Sequence, residues 1–343
     1  MSNVYVIPLT EYEEINLSLQ LRRLLETVID KEQVRLADEI PLKVHFGERG
    51  NTTYIKPGCY QGVIDYLNEN DVKSRFIETN VLYRGARTTR ESHIALAEEH
   101  GFTQLPITIA DGHHGEDVLR VPIEGDVFDE VQLGKAFADF DQYIVLAHFK
   151  GHEQAGFGGA MKQLAMGFAA RPGKMAQHAS ISPSVIPKKC IGCETCVDSC
   201  NYNAIDMIED KAVIDSDRCV GCAACIAICP VGAIRNDWGA EDFLKRLGEY
   251  AYGAGKDKQN IYLNLALNIT RLCDCIGEPM PFVADNFGLF ASTDAVAIDR
   301  ACLDMLQTRE GKKMFDKGRE SLDQAEKLGL GSQTYSLVTL SNN

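Results

Sequence analysis

The stretch KKCIGCETCVDSCNYNAI at 188–205 returns as DRCVGCAACIAICPVGAI at 217–234. Each copy sets four cysteines in the order C-x2-C-x2-C-x3-C. They are Cys190, Cys193, Cys196 and Cys200, then Cys219, Cys222, Cys225 and Cys229. Three thiolates two residues apart on a tight turn reach three irons of one cubane cluster. The fourth cysteine, opening the next helix, faces the other cluster. The spacing predicts two 4Fe–4S clusters, one on Cys190, Cys193, Cys196 and Cys229, the other on Cys219, Cys222, Cys225 and Cys200. A pair of zinc knots is the competing reading, but zinc sites usually use two well-separated C-x2-C pairs. Gly192 and Gly221 let the backbone bend close to inorganic sulfide.

The segment resembles the bacterial two-cluster ferredoxins, including the NAI and GAI after each fourth cysteine. It departs from them at Asn201, where the pattern has proline; proline ligates nothing, so the ligand set is unaffected. Twelve cysteines suggest metal rather than disulfides if the protein is cytoplasmic, because the cytosol keeps thiols reduced. That location is itself an expectation. The opening MSNVYVIPLTEYEE lacks a signal-peptide pattern. The best apolar run, YIVLAHF at 143–149, is strand-sized and far from the roughly 18 residues of a membrane helix. With 49 Asp+Glu against 35 Lys+Arg, a net charge of −14, nucleic acid and anionic membranes are poor partners, since both repel such a chain.

Outside 188–236, short apolar runs alternate with helical patterns. Strands are expected at 4–9, 42–46, 74–80, 106–111, 142–149, 260–268 and 281–285. Helices are expected at 12–29, 60–69, 88–101, 158–170 and 240–253, with a helical C-terminus. This predicts an α/β fold with a largely parallel sheet covered on both faces. Both flanks, 1–187 and 237–343, build that domain, and an α+β ferredoxin-like two-cluster domain at 188–236 is inserted in it. The chain resembles the iron–sulfur-centre proteins grouped as domain of unknown function 362. The likeness rests on HFKGHEQAGFGGAMKQLAMG at 148–167, CDC at 273–275 and FGLFASTDAVAIDRACLDML at 287–306. It implies the fold and the clusters and almost nothing about activity.

In an open parallel sheet, ligands bind where loops converge at the carboxyl ends of strands. Three such loops carry chemistry here. One follows Asp111 with His113 and His114. Another follows the strand at 142–149 with His148, Lys150 and His152, which fall on one side if the strand continues. The third holds Arg84, Arg87 and Arg90, suited to a carboxylate or phosphate. Histidines that titrate near neutrality supply acid–base groups or metal ligands; the bland alternative is ordinary solvated loops. Gly156, Gly158 and Gly159 open a helix whose N–H groups could hold an anion, or could simply pack it closely on the sheet. Cys273 and Cys275, two apart in an extended segment, would point together with Asp274 opposite. They could hold a soft metal, edge a third cluster, cycle as a redox thiol pair, or be buried as free cysteines often are. Cys59 and Cys302 read as core, though either could complete a metal site.

Two clusters imply electron handling, yet a carrier alone needs only the insert. An iron–sulfur oxidoreductase is expected, its clusters exchanging electrons with a ligand or organic cofactor at the strand-end loops. The redox partner would be a protein or a small donor or acceptor. The alternatives are a non-enzymatic electron-transfer subunit docking an enzyme, and a metal- or cluster-handling protein using CDC.

Overall fold

Period-two alternation along the apolar strands divides their side chains between two cores. A computed structural model describes residues 1–82, 85–178, 182–200, 203–219, 224–235 and 242–341. The main strands are β1 (Ser2–Ile7), β2 (Leu42–Lys43), β3 (Phe76–Glu78), β4 (Ile107–Ile109), β5 (Ile144–His148), β6 (Ile261–Ala266), β7 (Gly288–Ser292) and β8 (Tyr335–Thr339). They form one sheet in the order β8-β1-β7-β6-β5-β2-β3-β4. Only β7 runs antiparallel to its neighbours. The larger helices are α1 (Glu14–Lys31), α2 (Gln61–Glu69), α3 (Arg90–Glu99), α4 (Ala160–Phe168), α5 (Arg171–His178), α6 (Phe243–Gly255), α7 (Ala295–Glu310) and α8 (Arg319–Leu328).

Val4, Val6, Val145, Tyr262 and Phe290 pack on one face with Leu164, Leu247, Tyr250, Leu303 and Leu322 of α4, α6, α7 and α8. Tyr5, Ile7, Ile144, Leu146, Leu263 and Leu289 pack on the other face with Leu17, Leu21, Leu24, Val63 and Leu67 of α1 and α2. Each such side chain, fully buried, contributes about 1.5–3 kcal/mol against its desolvated backbone and lost entropy. The crossovers from β2 through α2 and α3 to β4 lie on the second face, whereas that from β5 through α4 and α6 to β6 lies on the first. The winding therefore reverses between β2 and β5, which opens a crevice at their carboxyl ends.

The expected strand at 281–285 is not formed. Pro279 and Pro281 supply no N–H, and Phe282 makes one isolated bridge to Thr270. The strand follows as β7. The C-terminus, expected helical, ends in β8 along β1. A hairpin of Val118–Pro122 with Glu130–Gly134 was also not expected.

Between α5 and α6 the cysteine stretches share one pattern under the 29-residue offset from Cys190 to Cys219. The Val185–Ile234 pairing maps onto Ile214–Ile205. Likewise the Ile186 N–H to Ala233 carbonyl bond maps onto Asp215 N–H to Ala204 carbonyl. The strand before each repeat thus pairs with the strand after the other one. Cys196, Ile205, Ala212, Cys225 and Ile234 form a small core of their own. Met175 of α5 packs against both Leu82 and Ile226. Among the described residues no helix is long and apolar enough to cross a membrane.

Candidate functional site

A cavity of ≈ 630 Å³ opens at the carboxyl ends of β3, β2, β5 and β6. Past β2 the chain supplies His45, β3 ends in Glu78, and β5 ends in His148. Beyond His148, Lys150–His152 pairs with Gly156–Gly158 as a short hairpin, so Lys150 and His152 reach the same space. The loop after β6 brings Cys273, Asp274 and Cys275, and helices α4 and α5 contribute Lys162, Lys174 and His178.

Asp274 organises this wall. Its Oδ2 lies 2.9 Å from His148 Nδ1 and 2.8 Å from Lys150 Nζ. His148 Nε2 is 2.6 Å from the Leu267 carbonyl. Burial alone would raise the pKa of Asp274, but His148 and Lys150 outweigh it and hold the carboxyl far below the usual range. Its second oxygen, Oδ1, is buried with no hydrogen-bond partner among the described residues. Cys273 to Ile276 is a turn closed by a 3.0 Å backbone bond, not an extended segment. Both sulfurs and Asp274 consequently line the cavity together, where alternation along a strand would have set Asp274 apart.

The two sulfurs differ. Cys273 is pushed well up, first by its hydrogen bond to Cys275 and then by burial. Cys275 is pushed well down by that same bond, with His45 and Lys162 adding to it against the cost of burial. His45 Nε2 stands 3.5 Å from Cys275 Sγ and 3.0 Å from an Arg87 nitrogen. Burial and Arg87 lower the His45 pKa. Arg87 is itself anchored by Glu48 at 3.2 Å. Lys162 has no hydrogen-bond or ion-pair partner among the described residues, although it borders His152, His178 and both sulfurs. His152 accepts N–H bonds from Gln154 and Ala155 on Nδ1, and burial, then Lys162, push its pKa down to about 2.

Beneath the cavity lies a buried ionic layer. Lys43 Nζ is 3.0 Å from Glu78 and 2.6 Å from Gln163. Lys174 donates to Thr79 and to the Ala169 carbonyl. Burial takes Lys174 down to about 8 and Asp111 up to about 6. Sequence reasoning missed His45, Glu78, Lys162, Lys174 and His178. A legible signal existed for one of them: Lys43 and His45 alternate within the apolar run LKVHF.

The structure brings His148, Lys150, His152, Arg87, Gly158, Gly159, Cys273 and Cys275 to the cavity. His113 and His114 are not among its lining residues. At Gly112 (φ +86) the chain turns away, and both amides bond Glu116. His113 pairs with Glu91 at the surface. Arg90 opens α3, and Arg84 lies outside the described residues. The glycine-rich helix start does not await an anion, because Asp299 already caps it. Its two oxygens accept the Ala160 and Met161 N–H groups at 2.8 and 2.9 Å. A Cβ on Gly159 would stand 2.3 Å from Asp299 Oδ1, and one on Gly156 would meet the Gly318 nitrogen. Cys59 and Cys302 are fully buried.

Cys190, Cys193, Cys196 and Cys229 line one small cavity. Backbone N–H groups of Ala212, Ala204 and Ala233 approach the sulfurs of Cys190, Cys200 and Cys229 at 3.5, 3.3 and 3.2 Å. The bonds from Ala212 and Gly192 lower the Cys190 pKa. Cys219 and Cys225 are described; Cys222, Gly221 and Asn201 lie outside the described residues. Among the described residues, no three or more His, Cys, Asp or Glu side chains are grouped to hold a metal ion.

The family model described as domain of unknown function (DUF362) matches residues 40–304. No curated protein matches the sequence. A crystal structure of a Thermotoga maritima protein aligns with TM-score 0.43 and 12% identity, covering 94% of this chain and 61% of that one. The lactate racemase apoprotein of Thermoanaerobacterium thermosaccharolyticum aligns with TM-score 0.39 and 11% identity, covering 76% and 50%. The chain thus spans about three-fifths and one-half of the lengths of these two proteins.

Proposed function

The chain belongs to the family of domain of unknown function 362, and from its own residues we propose that it is an iron–sulfur oxidoreductase whose strand-end cavity holds a small anionic ligand. The cysteine repeats would hold two 4Fe–4S clusters as a ferredoxin-like inserted domain, on Cys190, Cys193, Cys196 and Cys229, and on Cys219, Cys222, Cys225 and Cys200. Such clusters supply single electrons. The residues fit that group: amide N–H bonds to sulfur stabilise thiolate and cluster alike, and Cys229 of the second repeat lines the same small cavity as Cys190, Cys193 and Cys196 of the first.

The observation that carries the reading is the packing of Met175. It touches Leu82 in the cavity wall and Ile226, the residue next to Cys225. The unit that would carry electrons is therefore in contact with the wall of the unit that would use them. In the cavity, Lys162 and Arg87 would hold the ligand's charge, the His148–Asp274–Lys150 group would orient it, and neutral His152, whose Nδ1 accepts two backbone N–H bonds, would donate a hydrogen bond to it from Nε2.

The test is anaerobic purification followed by iron and sulfide analysis, then electron exchange with a viologen dye and calorimetry with small mono- and dicarboxylates. About eight irons and eight sulfides per chain are expected. Lys150→Ala and His152→Ala should leave dye reduction intact and abolish carboxylate binding. Wild type and both variants binding alike would remove the cavity from the mechanism and leave a docking electron-transfer subunit.

A further inference from the structure

We propose that Cys273 and Cys275 form a dithiol–disulfide couple in the cavity, with Cys275 the attacking sulfur and Cys273 the resolving one. Its substrate class is the low-molecular-weight disulfide bearing carboxylates. The inference deepens the cavity reading above and rests on it for where the ligand sits.

Four observations converge. The turn closed by the Ile276 N–H to Cys273 carbonyl bond brings Cys273 and Cys275 together onto the cavity wall. Cys275 is only partly buried, while Cys273 is buried at 9% exposure, which leaves Cys275 the more accessible of the two. Around Cys275 stand His45 at 3.5 Å and the Lys162 ammonium, whose positive charge favours thiolate over thiol. The cavity of ≈ 630 Å³ is ample for a small disulfide, and Lys162, without a carboxylate of its own among the described residues, is placed to accept one from the ligand. A metal-site reading of the same sulfurs is less well served, since among the described residues no three or more His, Cys, Asp or Glu side chains are grouped to hold a metal ion, and Cys59 and Cys302 are elsewhere in the core.

The chemistry balances without any other reactant. The Cys275 thiolate attacks one sulfur of R–S–S–R; that S–S bond breaks, a Cys275–S–S–R bond forms, and R–S⁻ leaves and is protonated. The Cys273 thiol then loses its proton and attacks the Cys275 sulfur. The mixed disulfide breaks, the Cys273–Cys275 bond forms, and the second R–S⁻ departs with a proton. The protein pair loses two electrons, and the ligand disulfide gains them as two R–SH. Excess small thiol drives the sequence backwards.

The test treats the full-length, anaerobically purified protein with three disulfides of similar size: dithiodipropionate, uncharged hydroxyethyl disulfide and cationic cystamine. Trypsin cuts after Arg271 and Arg300, so the peptide 272–300 contains only Cys273 and Cys275, and mass spectrometry reads their state apart from the eight clustered thiols. Wild type should lose two hydrogens on that peptide, with dithiodipropionate at least about tenfold faster than cystamine. Cys273→Ser should accumulate the mixed disulfide on Cys275, whereas Cys275→Ser should leave Cys273 unmodified. Lys162→Ala should still form the Cys273–Cys275 bond but lose the preference for the dicarboxylate. Labelling of Cys273 in Cys275→Ser as fast as Cys275 in Cys273→Ser would overturn the assignment of roles. No reaction with any of the three disulfides would overturn the couple itself. Neither readout depends on iron content or on carboxylate calorimetry, so failure here is distinct from failure of the oxidoreductase reading.

Discussion

His148 Nδ1 stands 2.9 Å from Asp274 Oδ2, and this contact ties the end of β5 to the Cys-Asp-Cys turn after β6. Both side chains are almost wholly buried, and Lys150 shares the same carboxylate oxygen. A buried ion pair adds little over an apolar replacement, but removing one partner strands the other charge in a medium that cannot solvate it. Asp274→Asn keeps the shape and removes the charge. It should cost about 3–5 kcal/mol in urea unfolding, whereas Asp285→Asn at the surface should stay within about 0.5 kcal/mol. Equal effects would mean that the Asp274 charge does not hold the wall together.

Two adjacent glycines should respond oppositely. On Gly159 a methyl group would lie 2.3 Å from the Asp299 carboxylate that caps α4, while on Gly158 its nearest neighbour is Lys150 Nζ at 3.7 Å. Gly159→Ala must either move Asp299 or shift the helix, losing the cap and straining the core. About 2–4 kcal/mol of stability should be lost. Gly158→Ala should be tolerated within about 1 kcal/mol. Thermal unfolding of the two variants side by side decides the point.

The contrast also marks what a sequence can reveal. Hydrophobic periodicity located β1 to β6 and α1 to α4, because burial on one face or both leaves a repeat that any observer can count. The residues at strand ends were legible by the same route, and His148, Lys150 and His152 did reach the cavity. Hidden were the partners supplied from distant segments. Asp299 lies 139 residues from the Ala160 N–H it accepts, and nothing local in either segment announces the match. His113 and His114 misled for a related reason: a loop at a strand end is positioned by its turn, here Gly112, and not by the strand before it. Strand β7 was missed because its run is interleaved with Gly288 and small residues, and the apolar PFVAD before it attracted the assignment.

Acid should destabilise the protein through two cavity histidines. Burial and Lys162 lower His152 to about 2 and His178 to about 4. Between those values and the ordinary value near 6.5, the unfolded chain binds protons that the folded chain refuses. Stability therefore rises with pH across that interval and is lost as pH falls. Asp111 and Asp299, raised to about 6 by burial, act in the opposite sense between their ordinary value and 6. The His152→Asn, His178→Asn double variant isolates the histidines. Going from pH 7 to pH 5, it should lose about 1–2 kcal/mol less stability than wild type, after allowing for partial solvent screening. Parallel pH profiles would rule out this source of acid sensitivity.

Crossed cluster ligation has its own signature. Cys229 lines the same small cavity as Cys190, Cys193 and Cys196, although it belongs to the other repeat in sequence. Cys229→Ser should therefore perturb the cluster assigned to the first repeat, and Cys200→Ser the one assigned to the second. Electron paramagnetic resonance of Cys193→Ser and Cys229→Ser should show the same altered signal, and Cys200→Ser a different one. Matching spectra for Cys193→Ser and Cys200→Ser would instead favour uncrossed, repeat-by-repeat ligation.

Excising the cysteine-rich unit should leave the main sheet folded. Ser184 and Arg235 are directly paired in an antiparallel ribbon, so the chain leaves and re-enters that unit at points about 5 Å apart. Removing 184–235 and bridging the gap with a few glycine and serine residues asks the remaining chain to close only a short loop, a small entropic cost. Every strand of the eight-stranded sheet and both of its apolar faces lie outside the excised segment. The loss includes, among the described residues, the contact of Met175 with Ile226, while Leu82, the other neighbour of Met175, stays in place. The shortened protein should be colourless, bind no iron, and unfold in one cooperative transition in urea. Its near-ultraviolet dichroism should remain native-like, since the tyrosines and phenylalanines of both cores are retained. Non-coincident transitions by fluorescence and dichroism, or loss of near-ultraviolet signal, would mean that the cysteine-rich unit is part of the main core's cooperative structure.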